Sequence, residues 1–280
     1  MKTFIKKYDG GNENGKNVLL VAGVHGDEAT PIYTLMKMVR NGEENMNLHH
    51  LKSLTIINGI NESGLLKHTR NMASDTTTDL NRSFNAETIK SYNVLKKHID
   101  ENDVVIDIHS SPSCTEFALI DIDEYTMCLK KWCDESGVKT AFRYSSANTI
   151  KRHSLENKKL SLTLEINSLE NIDIESANRT IKIINDLLGN IDKTKLRKST
   201  PKVPEILLVR TYVGGIFIDD VHAKENVKKN EILGEIFDFS GKKLKTIVAP
   251  TNGNVITFPK SIMISRGEVL YMFQPTKTKK

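Results

Sequence analysis

The chain of 280 residues lacks cysteine in quantity, a strong charge of either sign and any long apolar run. Its 3 cysteines, Cys114, Cys128 and Cys133, are too few and odd in number for a disulfide framework. Cys128 and Cys133 could form half of a metal site, but no second pair completes it. Inert thiols in a reducing compartment are the simpler reading. Lys and Arg number 40 against 35 Asp and Glu, leaving only +5 over the whole chain. That mild excess gives no reason to expect nucleic acid, which calls for a concentrated basic face. The longest apolar run, Val18–Ala22, is far too short to span a bilayer. Met1–Asp9 has no apolar segment of the kind a signal peptide needs. A soluble cytoplasmic protein is expected, with no membrane partner. There is no internal repeat and no low-complexity tract.

What the chain does have is alternation of two patterns. Asn17–Gly23 is a short apolar run ending in glycine, which reads as a buried strand and a turn. Ala29, Ile32, Leu35, Met36 and Val39 then recur at helical spacing, closed by Asn41-Gly42. Leu54–Asn58, Val104–Ile108, Phe117–Ile120 and Leu160–Ile166 are further strands. Ile89 to Ile99, Tyr125–Cys133 and Ile174 to Leu188 read as helices. Strands alternating with helices predict an α/β sheet covered by helices. Gly189–Val203 is polar, basic and proline-containing, so it reads as a linker. Beyond it the helical period vanishes. Short strand candidates (Ile206–Val209, Gly215–Ile218, Ile232–Ile236, Lys245–Val248, Asn254–Phe258, Val269–Phe273) are spaced by Gly, Asp and Asn turns. They predict a small all-β sandwich or barrel. The expected domains are thus residues 1–190 and 204–275, with a frayed tail from Thr276.

Chemistry-bearing residues gather at predicted strand ends, where α/β proteins build sites. The first strand runs into Gly23-Val24-His25-Gly26-Asp27-Glu28. Imidazole and carboxylate are ordinary zinc ligands, and the flanking glycines allow a sharp turn. H-x-x-E alone is common, but Val104-Val105-Ile106-Asp107-Ile108-His109 adds a third candidate. Three protein ligands with an open fourth position is the catalytic zinc arrangement. Asp107, two residues before His109, points to the same face. It either orients an imidazole or bonds a turn. Glu165 sits within an apolar strand, where an unpaired carboxylate is costly; it is ion-paired or it serves chemistry. The polar segment Asn58–Asn85 carries Arg70 and the pair Asn81-Arg82. Arg forks grip carboxylates, but a surface ion pair is the alternative for each.

Taken in order, Gly23–Glu28, Arg70, Asp79-Leu80-Asn81-Arg82-Ser83-Phe84, His109 and Glu165 resemble a known pattern. It is that of the succinylglutamate desuccinylase/aspartoacylase family within the zinc carboxypeptidase superfamily: G-x-H-G-x-E, then R…D-L-N-R-x-F, a strand-end His and a later Glu. The likeness spans about Asn17–Asn167. Gly214-Gly215-Ile216, Val227–Gly234 and Ala249–Gly253 are similar to that family's small, lipoyl-domain-like β region, though no lysine sits in a carrier-hairpin context.

The resemblance implies a mixed α/β sheet with helices on both faces. It implies one Zn2+ per chain held by His25, Glu28 and His109. Glu165 would take a proton from zinc-bound water and pass it to the leaving amine, Arg70 would stabilise the oxyanion, and Asn81 and Arg82 would hold a substrate carboxylate. The reaction implied is hydrolysis of a small anionic N-acyl amino acid or N-acyl amine. Carboxypeptidase action on short peptides, or a non-catalytic zinc-binding module, are the alternatives, and a homo-oligomer stays open. The chain has Ile166-Asn167 after Glu165, where the family often has Gly. A further substrate arginine is either Arg143 or Arg152. His49, His50, His68, His98, His153 and His222 match no ligand position.

Overall fold

The protein is described by a computed structural model covering residues 2–72, 78–84, 90–113, 116–120, 126–138, 140–168, 171–193, 203–220, 226–259 and 261–276. Ile89, Cys114, Tyr125, His222, linker residues 194–202 and the tail beyond Thr276 lie outside the described residues. The chain divides into two units: Met1–Ser110 with Glu116–Val203, and Ser111–Thr115 with Pro204–Lys280.

The first unit is built on a seven-stranded mixed sheet. Its strands are β1 (Phe4–Asp9), β2 (Lys16–Ala22), β3 (Leu51–Asn58), β4 (Val104–Ser111), β5 (Phe117–Ile120), β6 (Ala141–Arg143) and β7 (Leu160–Asn167). Their order is β1-β3-β2-β4-β7-β5-β6. β2 runs parallel to β3 and β4, while β1 and β5 are antiparallel to β3 and β7. The Leu160 N–H donates to Asp103 O at 3.0 Å, so β7 and β4 start side by side and run the same way. The helices are α1 (Ala29–Asn41), α2 (Glu62–Lys67), α3 (Lys90–Asp100), α4 (Thr126–Glu135), α5 (Ile150–Glu156) and α6 (Ile174–Gly189).

Alternation along the strands sorts the side chains. Val18, Leu20 and Ala22 of β2, Val104, Ile106 and Ile108 of β4, and Leu160, Leu162, Leu164 and Ile166 of β7 form one buried cluster. α1, α4 and α6 cover it with Leu35, Met38, Leu129, Trp132, Ile184 and Leu187. Leu19, Val21 and Val105 face the other way, under Tyr92, Leu95 and Ile99 of α3 and Ile150 of α5. Helices therefore cover both faces, as expected. No described helix is long and apolar enough to cross a membrane.

The sequence reading misses β1, β6, α2 and α5. β1 is an edge strand whose one buried residue is Tyr8. α2 lies inside the segment read as a polar loop and is held by its Asn61 cap, whose side chain accepts from the Gly64 N–H.

The second unit carries β8 (Leu207–Arg210), β9 (Gly215–Asp219), β10 (Ile232–Phe237), β11 (Lys243–Val248), β12 (Gly253–Thr257), β13 (Met263–Ile264) and β14 (Val269–Pro275). These form one four-stranded and one three-stranded antiparallel sheet. Phe217, Leu233, Ile236 and Ile247 from the first meet Val255, Leu270, Tyr271 and Phe273 from the second in one core. That arrangement is a sandwich.

Candidate active site

Three strand ends converge on one face. After β2, Gly23 takes φ +78°, the left-handed region, where a Cβ would also press on Gly59 Cα at 2.8 Å. The chain turns there and delivers His25, then Glu28 just ahead of α1. On β4, Asp107 and His109 share the face of Val105, away from the apolar cluster of Ile106 and Ile108. On β7, Glu165 lies opposite in direction to Leu164 and Ile166, so it shares that same face. Because β4 and β7 start together, Glu165 lies about level with His109 on the neighbouring strand. Its antiparallel partner across β5 is the buried Phe117.

His25, Glu28 and His109 are all buried and present ligand atoms within 4.8 Å of one another. Nδ1 of His25 lies 2.8 Å from Oε1 of Glu28, and Nδ1 of His109 lies 3.0 Å from Oε2. The two Nδ1 atoms are 3.0 Å apart. A nitrogen from each of two imidazoles and a carboxylate thus point into one space. A cation relieves that convergence, and a tetrahedral ion with N and O ligands separates its donors by about 3.4 Å. The donor set fits zinc. No other described group of His, Cys, Asp or Glu gathers in this way. Cys128 and Cys133 are buried on α4 and are not joined in a disulfide.

Carboxylates orient both imidazoles from behind. Asp107 Oδ2 lies 2.8 Å from His109 Nε2, and Asp79 Oδ1 lies 3.2 Å from His25 Nε2. Burial alone would lower the His109 imidazole, but the charges of Asp107 and Glu28 outweigh it and hold it well above the usual histidine value. Burial would raise Asp79, but its hydrogen bond to His25 and the charges of His25, Arg70 and Arg82 hold it well below the usual carboxylate range. Glu28 is fixed further by the Ser110 N–H, which donates to Oε2 at 3.0 Å.

Arg70 Nε donates to Asp79 Oδ2 at 3.1 Å, and its Nη1 lies 3.7 Å from Glu28. The guanidinium therefore stands beside the ligand cluster. Asn61 ties this arm to the ligand loop: its Nδ2 donates to Val24 O and to Arg70 O, both at 3.2 Å. Arg82 is exposed and donates from Nη1 to Asn81 O at 2.7 Å. Asn81 is buried, with Ile150, Asp107 and His109 around its amide. Arg152 pairs with Glu156 at 2.9 Å along α5, while Arg143 ends β6 half-buried.

The bridging part of Asp79 and the clamp of Asn61 were missed from sequence. The signal for Asp79 was its place two residues before Asn81 in an otherwise unpatterned loop. For Asn61 it was a capping residue three positions ahead of Gly64.

Residues 14–191 match the succinylglutamate desuccinylase/aspartoacylase catalytic domain. The chain belongs to that family, one of deacylases. No curated protein sequence matches. Among solved structures, the product-bound ectoine utilization protein EutE (DoeB) from Ruegeria pomeroyi superposes with a TM-score of 0.79 at 18% identity, covering 97% of this chain and 88% of that one. A succinylglutamate desuccinylase/aspartoacylase from Rhodobacter sphaeroides gives 0.75 at 17% identity, covering 98% and 89%. A variant of murine aminoacylase 3 gives 0.67 at 15%, covering 94% and 95%. At such identities the likeness speaks for the fold.

Proposed function

We propose that this protein is a zinc-dependent amide hydrolase that removes the acyl group from a small N-acyl amino acid or N-acyl amine. The observation that carries this reading is the convergence of His25, Glu28 and His109, with donor atoms 2.8–3.0 Å apart, at the C-terminal ends of adjacent strands. One zinc ion per chain would be held by these three side chains, where it would polarise the acyl carbonyl and make a bound water acidic near neutral pH.

The chain's own groups supply the rest. The Glu165 carboxylate accepts a proton from the attacking water and delivers it to the amine nitrogen as the C–N bond breaks. Phe117 on the adjoining strand keeps one side of that carboxylate dry. Arg70 sets a positive charge against the negative charge that develops on the carbonyl oxygen. Asp79 holds Arg70 by its Nε, which fixes the guanidinium beside Glu28. Exposed Arg82 receives the substrate carboxylate at the mouth of the site. A small anionic substrate is the partner this charge pattern suits.

Hydrolysis of N-acetyl, N-succinyl and N-formyl amino acids, assayed beside dipeptides with added zinc or with a chelator, tests the reading. Chelator-sensitive release of amine from at least one N-acyl amino acid is expected. Cleavage of dipeptides alone would make the enzyme a carboxypeptidase. Zinc binding with no hydrolysis of any member would leave a binding module.

A further inference from the structure

We infer that Thr30 is a positioning residue: its hydroxyl fastens the exit of β7, and with it the Glu165 carboxylate, to the turn that carries Glu28. This inference rests on the reading of Glu165 as the group that moves the proton.

Glu165 stands where its strand begins to lose support. On the β5 side it is the last residue of β7 in the ladder, opposite Phe117. Beyond it the strand runs only to Asn167, and Ser168 follows. A strand end frays unless something past it is anchored, and the side chain moves with the backbone. The anchor here is the first turn of α1. Thr30 Oγ1 and Ser168 Oγ lie 2.6 Å apart, in a hydrogen bond that either hydroxyl can donate. Each of the two also lies 3.2 Å from Asn171 O. Two hydroxyls carry two protons, so one fills the bond between them and the other goes to Asn171 O. The Asp173 N–H then donates to Thr30 Oγ1 at 3.0 Å. Thr30 and Ser168 are buried, so water does not stand in for these bonds.

The places of these residues in the chain give the contact its reach. Thr30 lies two residues after Glu28, and Ser168 lies three after Glu165. One hydroxyl therefore spans from the ligand turn to the strand that carries the carboxylate. Its third partner, Asp173, is the cap of α6, so the same oxygen also sets where that helix starts. α6 is tied in turn to the strand next to Glu165. Arg179 Nε donates to Glu116 Oε1 at 3.1 Å, and its Nη2 donates to Ser176 Oγ at 2.7 Å. Glu116 directly precedes Phe117, the residue that faces Glu165. The exit of β7 is thus held from α1 on one side and through α6 to the start of β5 on the other.

Thr30→Val tests this, because it keeps the shape of the side chain and removes the hydroxyl. The readouts are zinc affinity by chelator competition without substrate, kcat and KM at saturating zinc, and melting temperature. The valine variant should lower kcat about 10- to 100-fold, the scale of a slight misplacement of a reacting group, with KM and zinc affinity unchanged. Thr30→Ser should restore kcat. In a Glu165→Gln background Thr30→Val should cost nothing further, since groups that act through one another are not additive. Should the valine variant not fold, Ser168→Ala supplies the same readouts. An unchanged kcat per folded, zinc-loaded molecule, or a loss that adds fully to that of Glu165→Gln, would overturn the inference and leave Thr30 a structural residue. A parallel fall in zinc affinity would overturn it too, by moving the effect to Glu28. Glu165→Gln alone separates the two levels. If it leaves hydrolysis intact, the reading of Glu165 fails and the inference with it. If it cuts hydrolysis while Thr30→Val keeps full kcat, the inference fails alone.

Discussion

The two faces of the central sheet are made by the same strands and differ completely in character. Toward α1, α4 and α6, β4 shows Val104, Ile106 and Ile108, and β7 shows Leu160 through Ile166 at every second position. That face is apolar from Val104 to Ile108 on β4 and from Leu160 to Ile166 on β7. Toward α3 and α5, β4 shows Val105, Asp107 and His109, and β7 shows Ser161, Thr163 and Glu165. That face turns polar as the strands approach their C-terminal ends. One residue of rise separates a side chain that holds the fold from one that can act on a substrate. Since the side-chain period of a strand is 2, the apolar face pins the register that aims the reactive one.

Neighbouring substitutions on β7 break this comparison most sharply. Glu165→Gln should cut hydrolysis by about 10²- to 10⁴-fold while bound zinc and melting temperature hold. Assay and metal analysis of one preparation check it, and parallel loss of metal would make Glu165 structural. Leu164→Ala, one residue away, should do the reverse. It should cost about 2–5 kcal/mol of stability in denaturant titration, with the folded fraction still active. Arg82→Ala should raise KM for carboxylate-bearing substrates about 10- to 100-fold and spare stability, as loss of a charge-assisted contact implies. An unchanged KM would remove it from the substrate.

Two smaller effects belong to the apolar side. Asp173 caps α6 by accepting from the Ser176 N–H at 2.9 Å. Its carboxyl is held below the ordinary value, chiefly by that backbone bond. A lowered folded-state pKa means stabilisation present above the ordinary carboxylate range and lost as pH falls through it. Asp173→Ala should therefore cost about 1 kcal/mol near neutrality, fading on acidification. Melting curves across pH would show it. Cys133, buried on α4, has its thiol pushed up to about 12, mainly by burial. It should resist alkylation at pH 8 in the folded protein, as mass spectrometry of labelled peptides would reveal.

The apolar face explains what could be read in advance. β2 and β4 announce themselves because burial on both sides leaves nearly continuous apolar runs, and β7 because Leu160, Leu162, Leu164 and Ile166 recur at every second position. α1, α3 and α6 show a periodic stripe. β1 hides because an edge strand with one buried residue tolerates lysines. α5 hides because its buried set, Ile150, Lys151 and Ser154, is mostly polar. In the site, His25, Glu28 and His109 were legible because each lies at the C-terminal end of a strand that was, or just beyond it. The contacts that Asp79 and Asn81 make with the two histidines were not legible. Their partners lie 54 and 26 to 69 residues away, and no local pattern encodes such pairings.

Gly26 carries a consequence for anyone reshaping this enzyme. A Cβ there would collide with the backbone of Gly64 and Leu65, so main chain rests directly on main chain between the ligand loop and α2. With the Gly26 N–H donating to Arg70 O, the loop bearing His25 and the arm bearing Arg70 are interlocked without a side chain between them. Such a joint has no slack. An insertion beside exposed Leu66 would be transmitted as a displacement of His25 and Glu28. Changes of length are better accommodated where side chains, and not main chain, form the contact.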